Sequence, residues 1–223
     1  MNLIDQYIND DCFNILPKMK GNSIDLIFSG IPDMSQVNGK PDIVAYGELI
    51  GKSCSEFSRV VKDKGFVLMM QTDRKLNGTI YPKQDIIKVC MRMAGMKLYQ
   101  HKIYVKNKID KKNLYQLNYA NILIFTRNGK IKQSKVSKFL QDVFVYEYDS
   151  FGTFDPLFVY LILDVFTKEN DIVLDPFAGR GTVCVCAKES KRKYIGIEYD
   201  KKIYNENKSR FSGGLNNFEE TNG

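Results

Sequence analysis

The sequence has few of the residues that build metal centres and nucleophilic triads. Its 223 residues include one histidine, His101, no tryptophan and five cysteines. The cysteines are odd in number, widely spaced and without a C-x-x-C pair, which argues against a zinc site or a disulfide framework. We therefore predict no metal site. A Ser-His or Cys-His catalytic scheme would have to depend on His101 alone.

Long apolar runs and a secretion signal are also lacking. The longest apolar stretches, such as 65–70 and 157–163, are far shorter than the roughly 20 residues that cross a bilayer. The N-terminus has no basic start followed by an apolar segment and a small-residue cleavage site. These features predict an intracellular protein, cytoplasmic or nuclear, that is neither secreted nor attached to a membrane.

Helical and β-type segments alternate along most of the chain. Apolar β-type runs at 6–9, 24–28, 66–71, 171–175 and 194–198 are interleaved with helical spacing at 46–61, 82–94, 156–166, 181–190 and 201–211. This alternation predicts an α/β fold with a mostly parallel sheet and helices on both faces. Two consecutive β-type segments, 97–105 and 118–126, predict one antiparallel hairpin and bring the sheet to seven strands. We predict a single domain over residues 1–211, a long loop at 29–45 and a flexible tail at 212–223.

Basic residues are concentrated in one segment. The formal net charge is +7, and residues 97–138 contain eleven basic residues and one acidic residue, Asp110. Tyr104, Tyr115 and Tyr119 are interleaved with the lysines and could stack on bases. The segment predicts a nucleic-acid partner, DNA or RNA, although a lysine-biased solvated surface would give the same pattern.

The most informative stretch is 172–200, IVLDPFAGRGTVCVCAKESKRKYIGIEYD. A predicted strand ends in Asp175, a turn with Gly179 and Gly181 follows, and after the next helix another strand ends in Glu198. Glycines let the backbone approach a ligand, and a carboxylate after the second strand can accept both ribose hydroxyls, so the pattern predicts a nucleoside site. Asp175 would repel a pyrophosphate, which favours a ligand with positive charge near the turn.

DPFAGRGT followed by YIGIEYD resembles the cofactor motif pair of the S-adenosylmethionine-dependent amino-methyltransferases, which methylate exocyclic amines of adenine or cytosine in DNA. The resemblance implies a Rossmann-like methyltransferase fold and S-adenosyl-L-methionine as the cofactor. It also implies that Asp175 lies near the methionine part, that Phe177 packs at the adenine and that Glu198 holds the ribose. The N-terminal segment DDCFNILPKMKGNSIDLIFSGIPD is similar to the opening of the same family, in which an acidic residue, here Asp11, approaches the adenine. Gly30, Gly179, Gly181 and Thr182 complete the predicted cofactor contacts.

The order of the motifs resembles the β class of this family, a circular permutation of the methyltransferase sheet. The catalytic segment precedes the cofactor turn here, as it does in that class. The family's helix before the cofactor strand usually opens with Lys-Pro, whereas this sequence has Asp155-Pro156. One contact of the family is therefore altered.

The catalytic segment departs further from the family, which carries Asp, Asn or Ser, then Pro-Pro, then an aromatic residue. This sequence offers Gly30, Ile31, Pro32 and Asp33. Gly30 supplies no side-chain acceptor for the target amine, so the Ile31 carbonyl and the side chains of Asp33 or Ser29 remain. We predict that Asp33 is the catalytic acceptor and that Pro32 and Ser29 belong to the same site.

Two further features of the site stay open. Stacking on an extruded base would have to come from Tyr46, Tyr104 or Tyr119. The run Gln71, Thr72, Asp73 and Arg74 crowds the C-terminal end of a predicted strand, where it is either part of the site or a polar turn.

The sequence thus predicts an S-adenosylmethionine-dependent methyltransferase that acts on an exocyclic amine of a base in DNA. Gly30 and Asp33 leave open a catalytically impaired homologue with a binding or scaffolding role, and methylation of RNA or protein is a further alternative. Only about 25 residues separate Arg127 from Gly152, too few for the family's sequence-reading domain.

Overall fold

The computed structural model describes residues 3–106, 117–146 and 154–211, and these form one eight-stranded sheet, a separate two-stranded hairpin and helices packed on both sheet faces. The strands are β1 (Gln6–Asn9), β2 (Ile24–Gly30), β3 (Val61–Gln71), β4 (Arg74–Leu76), β5 (Thr79–Tyr81), β6 (Lys97–Lys106), β7 (Tyr119–Thr126), β8 (Val143–Tyr146), β9 (Ile172–Asp175) and β10 (Lys193–Glu198). The helices are α1 (Cys12–Ile15), α2 (Met34–Asn38), α3 (Ile43–Val60), α4 (Lys83–Met93), α5 (Gln133–Val136), α6 (Pro156–Phe166), α7 (Thr182–Glu189) and α8 (Lys201–Asn207). Short 3₁₀ turns follow α1, α5 and α8.

The large sheet has the order β1-β10-β9-β2-β3-β7-β6-β8. The first five strands run parallel, and β7 is antiparallel to both β3 and β6. The predicted α/β class, the mostly parallel sheet and its antiparallel hairpin are confirmed. The predicted number of seven strands is wrong, because β8 pairs with the outer edge of β6. With four residues, of which Val143 and Val145 are more than half exposed, this strand gives little sequence signal.

Two apolar cores cover the two faces of the sheet. The first contains Ile50 and Phe57 of α3 and Ile87 of α4, and the second contains Phe158 and Ile162 of α6 together with residues of α7. Helix α6 begins where the sequence predicts. Asp155 caps it by accepting a hydrogen bond from the Leu157 amide at 2.7 Å. The acidic residue at this position therefore has a local structural role.

The segment predicted as one long loop, 29–45, is more ordered than expected. Helix α2 begins after Asp33, which caps it in a capping box with Gln36, and α3 begins after the cap Asp42. Asp and Asn favour loops, but they also cap helices. Their abundance in 29–45 therefore does not distinguish a loop from a segment in which helices begin. The β4–β5 hairpin was missed as well. Its turn is Asn77-Gly78, where both residues have a positive φ of 50° and 79°.

No helix within the described ranges is both long and apolar enough to cross a membrane. The five cysteines are free, and four of them are buried. The predicted tail, 212–223, lies outside the described residues.

Candidate active site

A cavity of about 1070 Å³ lies at the C-terminal ends of the central parallel strands. Strands β2 and β9 are neighbours at this point, and their helical connections leave in opposite directions, from β2 to β3 on one side and from β9 to β10 on the other. In open α/β sheets this switch in strand order creates the crevice that binds ligands. The sheet topology therefore places a ligand site where the sequence motifs end.

Most of the predicted site residues come together around this cavity. They are drawn from both ends of the chain: Asp11, Gly30, Pro32, Phe177, Gly179, Thr182 and Glu198 line the wall. Four predicted residues, namely Ser29, Asp33, Asp175 and Gly181, are not in the lining. Their contacts explain what each of them does.

Asp175 ends β9 and is almost completely buried, with 1% of its surface exposed. Its Oδ1 accepts hydrogen bonds from the Ser29 hydroxyl at 2.6 Å and from the Phe177 amide at 3.2 Å. Burial, together with the charge of Glu198, raises the pKa of this carboxyl to about 7, although the hydrogen bonds from Ser29 and Phe177 oppose the shift. Ser29, also fully buried, therefore orients Asp175 from behind the cavity wall.

Glu198 ends β10 and is held by two backbone amides. Its Oε2 accepts a hydrogen bond from Gly179 and its Oε1 accepts one from Asp200, both at 2.7 Å. Burial raises its pKa above the usual range. No lysine or arginine in the described residues forms an ion pair with Glu198 or Asp175. Two buried carboxylates without a cationic partner favour a ligand that brings positive charge and hydroxyl donors.

The glycines and the N-terminal acid shape the same end of the cavity. Gly179 turns the chain with a φ of 52°. Gly181 has a φ of 75°, and a Cβ there would lie 2.5 Å from the ring of Phe211, so Gly181 permits close packing rather than ligand contact. Asp11 caps α1 through the Phe13 amide at 2.9 Å and also lines the cavity.

Asp33, the predicted catalytic acceptor, is engaged by two cations. Its Oδ1 accepts a hydrogen bond from Lys83 at 2.6 Å and its Oδ2 accepts one from Arg74 at 2.8 Å. Burial opposes ionisation, but the hydrogen bond and charge of Lys83, with help from Ser35 and Arg74, lower the Asp33 pKa to about 2. The carboxylate thus faces these cations, whereas the adjacent Pro32 lines the cavity.

A buried polar network at the end of β3 adds residues that the sequence left undecided. Gln71 donates from Nε2 to Asp73 Oδ1 at 3.0 Å, and Asn121 donates from Nδ2 to Asp73 Oδ2 at 3.1 Å. His101 Nε2 lies 2.9 Å from Asn121 Oδ1. Gln71 and Thr72 line the cavity. The polar run 71–74 after a predicted strand indicated Gln71, Thr72 and Asp73 from the sequence. It gave no indication that Asn121 on β7 would donate to Asp73.

The three candidate stacking tyrosines differ in position. Tyr46 and Tyr104 are buried in the two cores, with 0% and 6% of their surfaces exposed. Tyr119 begins β7 and is only partly buried, and burial together with the charge of Asp73 raises its pKa. Tyr119 is therefore the most exposed of the three candidates. Tyr115 lies outside the described residues.

Part of the predicted basic segment serves the fold instead of a partner. Lys102 is 2% exposed and donates to the Gln141 carbonyl at 2.8 Å. Arg127 donates to the Ser58 carbonyl at 2.7 Å, and Lys138 pairs with Asp164 at 2.7 Å. Lys102 is thus a structural residue, and the lysines at 108, 111 and 112 lie outside the described residues.

Comparisons with known proteins agree with this geometry. A DNA methylase family model matches residues 151–209. The type II methyltransferase M2.LlaDCHI of Lactococcus lactis subsp. cremoris is 23% identical over 93% of this chain and 89% of its own length. Among solved structures, the PvuII DNA methyltransferase, which is cytosine-N4-specific, has a TM-score of 0.80 at 14% identity and covers 95% of this chain and 88% of its own. M1.HpyAVI in complex with S-adenosylmethionine has a TM-score of 0.70 at 21% identity, covering 92% and 98%.

At these identities the structural matches show the fold. The family model covers the helix α6, the strand with Asp175, the glycine turn and the strand with Glu198. The segment that it recognises therefore includes the Glu198 end of the cavity.

Proposed function

We propose that the chain is a DNA methylase that transfers a methyl group from S-adenosyl-L-methionine to an exocyclic amine of a base in DNA, because the DNA methylase family model matches residues 151–209 and M2.LlaDCHI aligns with 93% of the chain. The observation that carries the proposal is the cavity. Its wall joins the Glu198 end, behind which the buried Asp175 lies, to the Gly30–Pro32 segment, where the family places its catalytic residues. Such an activity would bring the protein to DNA inside the cell.

The residues at the Glu198 end fit the cofactor. Asp175 and Glu198 are desolvated carboxylates without a lysine or arginine partner in the described chain, which suits a ligand with cationic groups and a ribose diol. Phe177 offers an apolar surface next to them. When bound, the cofactor supplies an electrophilic methyl group on a sulfonium.

At the other end, the chain must hold the amine and direct its lone pair. Ile31 lines the cavity, and its backbone carbonyl is the main-chain acceptor that we assign to the amine. Pro32 forms the adjacent wall. Ser29 and Asp33 are assigned positioning roles, since their hydrogen bonds go to Asp175 and to Lys83 and Arg74.

The proposal is tested by incubating the purified protein with methyl-labelled S-adenosylmethionine and separate pools of DNA, RNA and protein. We expect label in DNA, and hydrolysis to nucleosides should yield N6-methyladenine or N4-methylcytosine. Asp175→Ala is the matched negative control, because it removes the buried carboxylate. Label only in RNA or protein, or none in any pool despite cofactor binding, would contradict the proposal.

A further inference from the structure

The wall of the cavity contains a buried hydrogen-bond acceptor without a donor. Gln71 is 3% exposed and lines the cavity, and its Oε1 has no hydrogen-bond partner among the residues that the structure describes. An unpaired buried amide oxygen destabilises the folded protein, because it has lost its hydrogen bonds to water. Such an atom at a site is a candidate ligand contact, because a donor on the ligand would remove this cost.

The orientation of the Gln71 amide is fixed by its neighbours. Asp73 Oδ1 also accepts a hydrogen bond from the Gln84 amide at 3.2 Å, and its Oδ2 accepts one from Asn121. A carboxylate surrounded by three N–H donors is an acceptor, so the Gln71 nitrogen faces Asp73 and the oxygen faces away. On the far side, Asn121 Oδ1 is left to accept a hydrogen bond from His101.

The position of Gln71 in the sheet matches the gap in the catalytic segment. Gly30 is paired with Met70, and the Ile31 amide donates to the Met70 carbonyl at 2.9 Å. Gln71 therefore stands beside Ile31 on the adjacent strand, one residue beyond the partner of Gly30. Glycine supplies no side-chain acceptor here, whereas Gln71 brings one from β3.

We propose that Gln71 Oε1 is the side-chain acceptor for the target amine and selects bases that carry one. This inference rests on the proposed function and names its specificity residue. Adenine and cytosine present an amino group that donates to Oε1, whereas thymine presents a carbonyl oxygen that repels it. Because Oε1 is buried in this structure, its contact with the amine requires the wall at Gln71 to move.

The test uses binding rather than turnover. Single-stranded oligomers of dA, dC and dT are titrated into the protein saturated with S-adenosylhomocysteine, which cannot donate a methyl group. The wild-type protein should bind dA or dC about fivefold or more tightly than dT, the value of one net hydrogen bond. Gln71→Leu should abolish this preference while calorimetry shows unchanged affinity for S-adenosylhomocysteine.

Gln100→Leu is the matched control. Gln100 also has a buried Oε1 without a partner, but it lies on β6 away from the cavity lining. This variant should keep the preference for dA or dC. Gln71→Asn, which withdraws the amide by one methylene and keeps the hydrogen-bonding groups, should lose the preference even if Gln71→Leu fails to fold.

The outcomes separate this inference from the proposed function. Equal binding of all three oligomers by the wild-type protein, or an unchanged preference in both Gln71 variants, would overturn the role of Gln71. If the wild-type protein still methylates amines in DNA, the proposed function survives that result. A wild-type protein that labels no DNA would remove the proposed function and, with it, the inference that depends on it.

Discussion

At the scale of single residues, the raised pKa of Asp175 predicts that cofactor binding is sensitive to pH. Its pKa of about 7 means that the carboxyl is largely protonated at pH 6 and largely ionised at pH 8. A cationic ligand prefers the ionised form, so we expect the affinity for S-adenosylmethionine to rise about tenfold from pH 6 to pH 8 and then to level off. Calorimetric titration across this range measures the change.

Two variants isolate the contribution of this residue. Asp175→Asn should bind weakly at every pH and lose the rise. Ser29→Ala removes the hydroxyl that stabilises the ionised carboxylate, so the midpoint of the rise should move to higher pH. A wild-type profile that is flat between pH 6 and 8 would refute the assignment of the Asp175 titration.

The same pKa shift affects the ligand-free fold with the opposite sign. A folded-state pKa above the ordinary 3.8 means that the folded protein binds more protons between about pH 4 and 7. Stability contributed by the protonated carboxyl is therefore lost as the pH rises through this window. Ionisation of Asp175 is thus expected to strengthen ligand binding and to destabilise the ligand-free fold.

What could be predicted at this scale depends on how local each site is. The positions of Asp175 and Glu198 at strand ends, and of Gly179 in the turn, were predictable because this strand-turn-helix context is contained in one short stretch of sequence. The contacts of Asp33 were not, because Arg74 and Lys83 are 41 and 50 residues away along the chain. Only the packing of α2 beside β4 and α4 brings them together, and no short-range pattern encodes that.

At the scale of elements, Asp33 ties together α2, β4 and α4. It caps α2, pairs with Arg74 at the start of β4 and with Lys83 at the start of α4. Lys83 has only 2% of its side chain exposed, so Asp33→Ala would leave a buried ammonium without its partner. We expect a loss of about 3 kcal/mol in the free energy of unfolding, measured by urea denaturation.

The matched control is Glu169→Gln. Glu169 pairs with Lys191, and both side chains are more than half exposed, so its loss should cost at most about 1 kcal/mol. The double variant Asp33→Asn with Lys83→Met should recover much of the stability lost in Asp33→Ala. Equal effects of Asp33→Ala and Glu169→Gln would show that the Asp33 cluster does not anchor these elements.

The predictability of elements follows from their length and burial. Strands β2, β9 and β10 and helix α6 were predicted within two residues because most of their apolar side chains are buried. Strand β3 begins at Val61, five residues before its predicted start, because the residues that follow Val61 are polar. Strand β8 was missed because it is a short edge strand with alternate residues exposed. The β4–β5 hairpin could have been found from Asn77-Gly78, a dipeptide typical of tight hairpin turns.

At the scale of the whole molecule, the sheet divides the basic segment between two edges. Strand β6 begins and β7 ends at the edge opposite the cavity, since β7 is antiparallel to β3. The exposed Lys97, Lys130 and Lys132 lie near that far edge. Strand β6 ends and β7 begins at the edge beside the cavity, where Tyr119 is close to Asp73. In the sequence, Lys108, Lys111 and Lys112 come between these two strands.

We therefore predict that replacing Lys108, Lys111 and Lys112 by Gln weakens DNA binding. The slope of log affinity against log salt should fall by roughly 0.9 for each lysine that contacts a duplex phosphate. The matched triple replacement of Lys97, Lys130 and Lys132 removes the same charge from the far edge and should leave the slope nearly unchanged. Salt titrations of both variants at fixed pH measure the difference. An equal decrease of the slope in the two variants would mean that DNA binding depends on the net charge of the protein rather than on the position of these lysines.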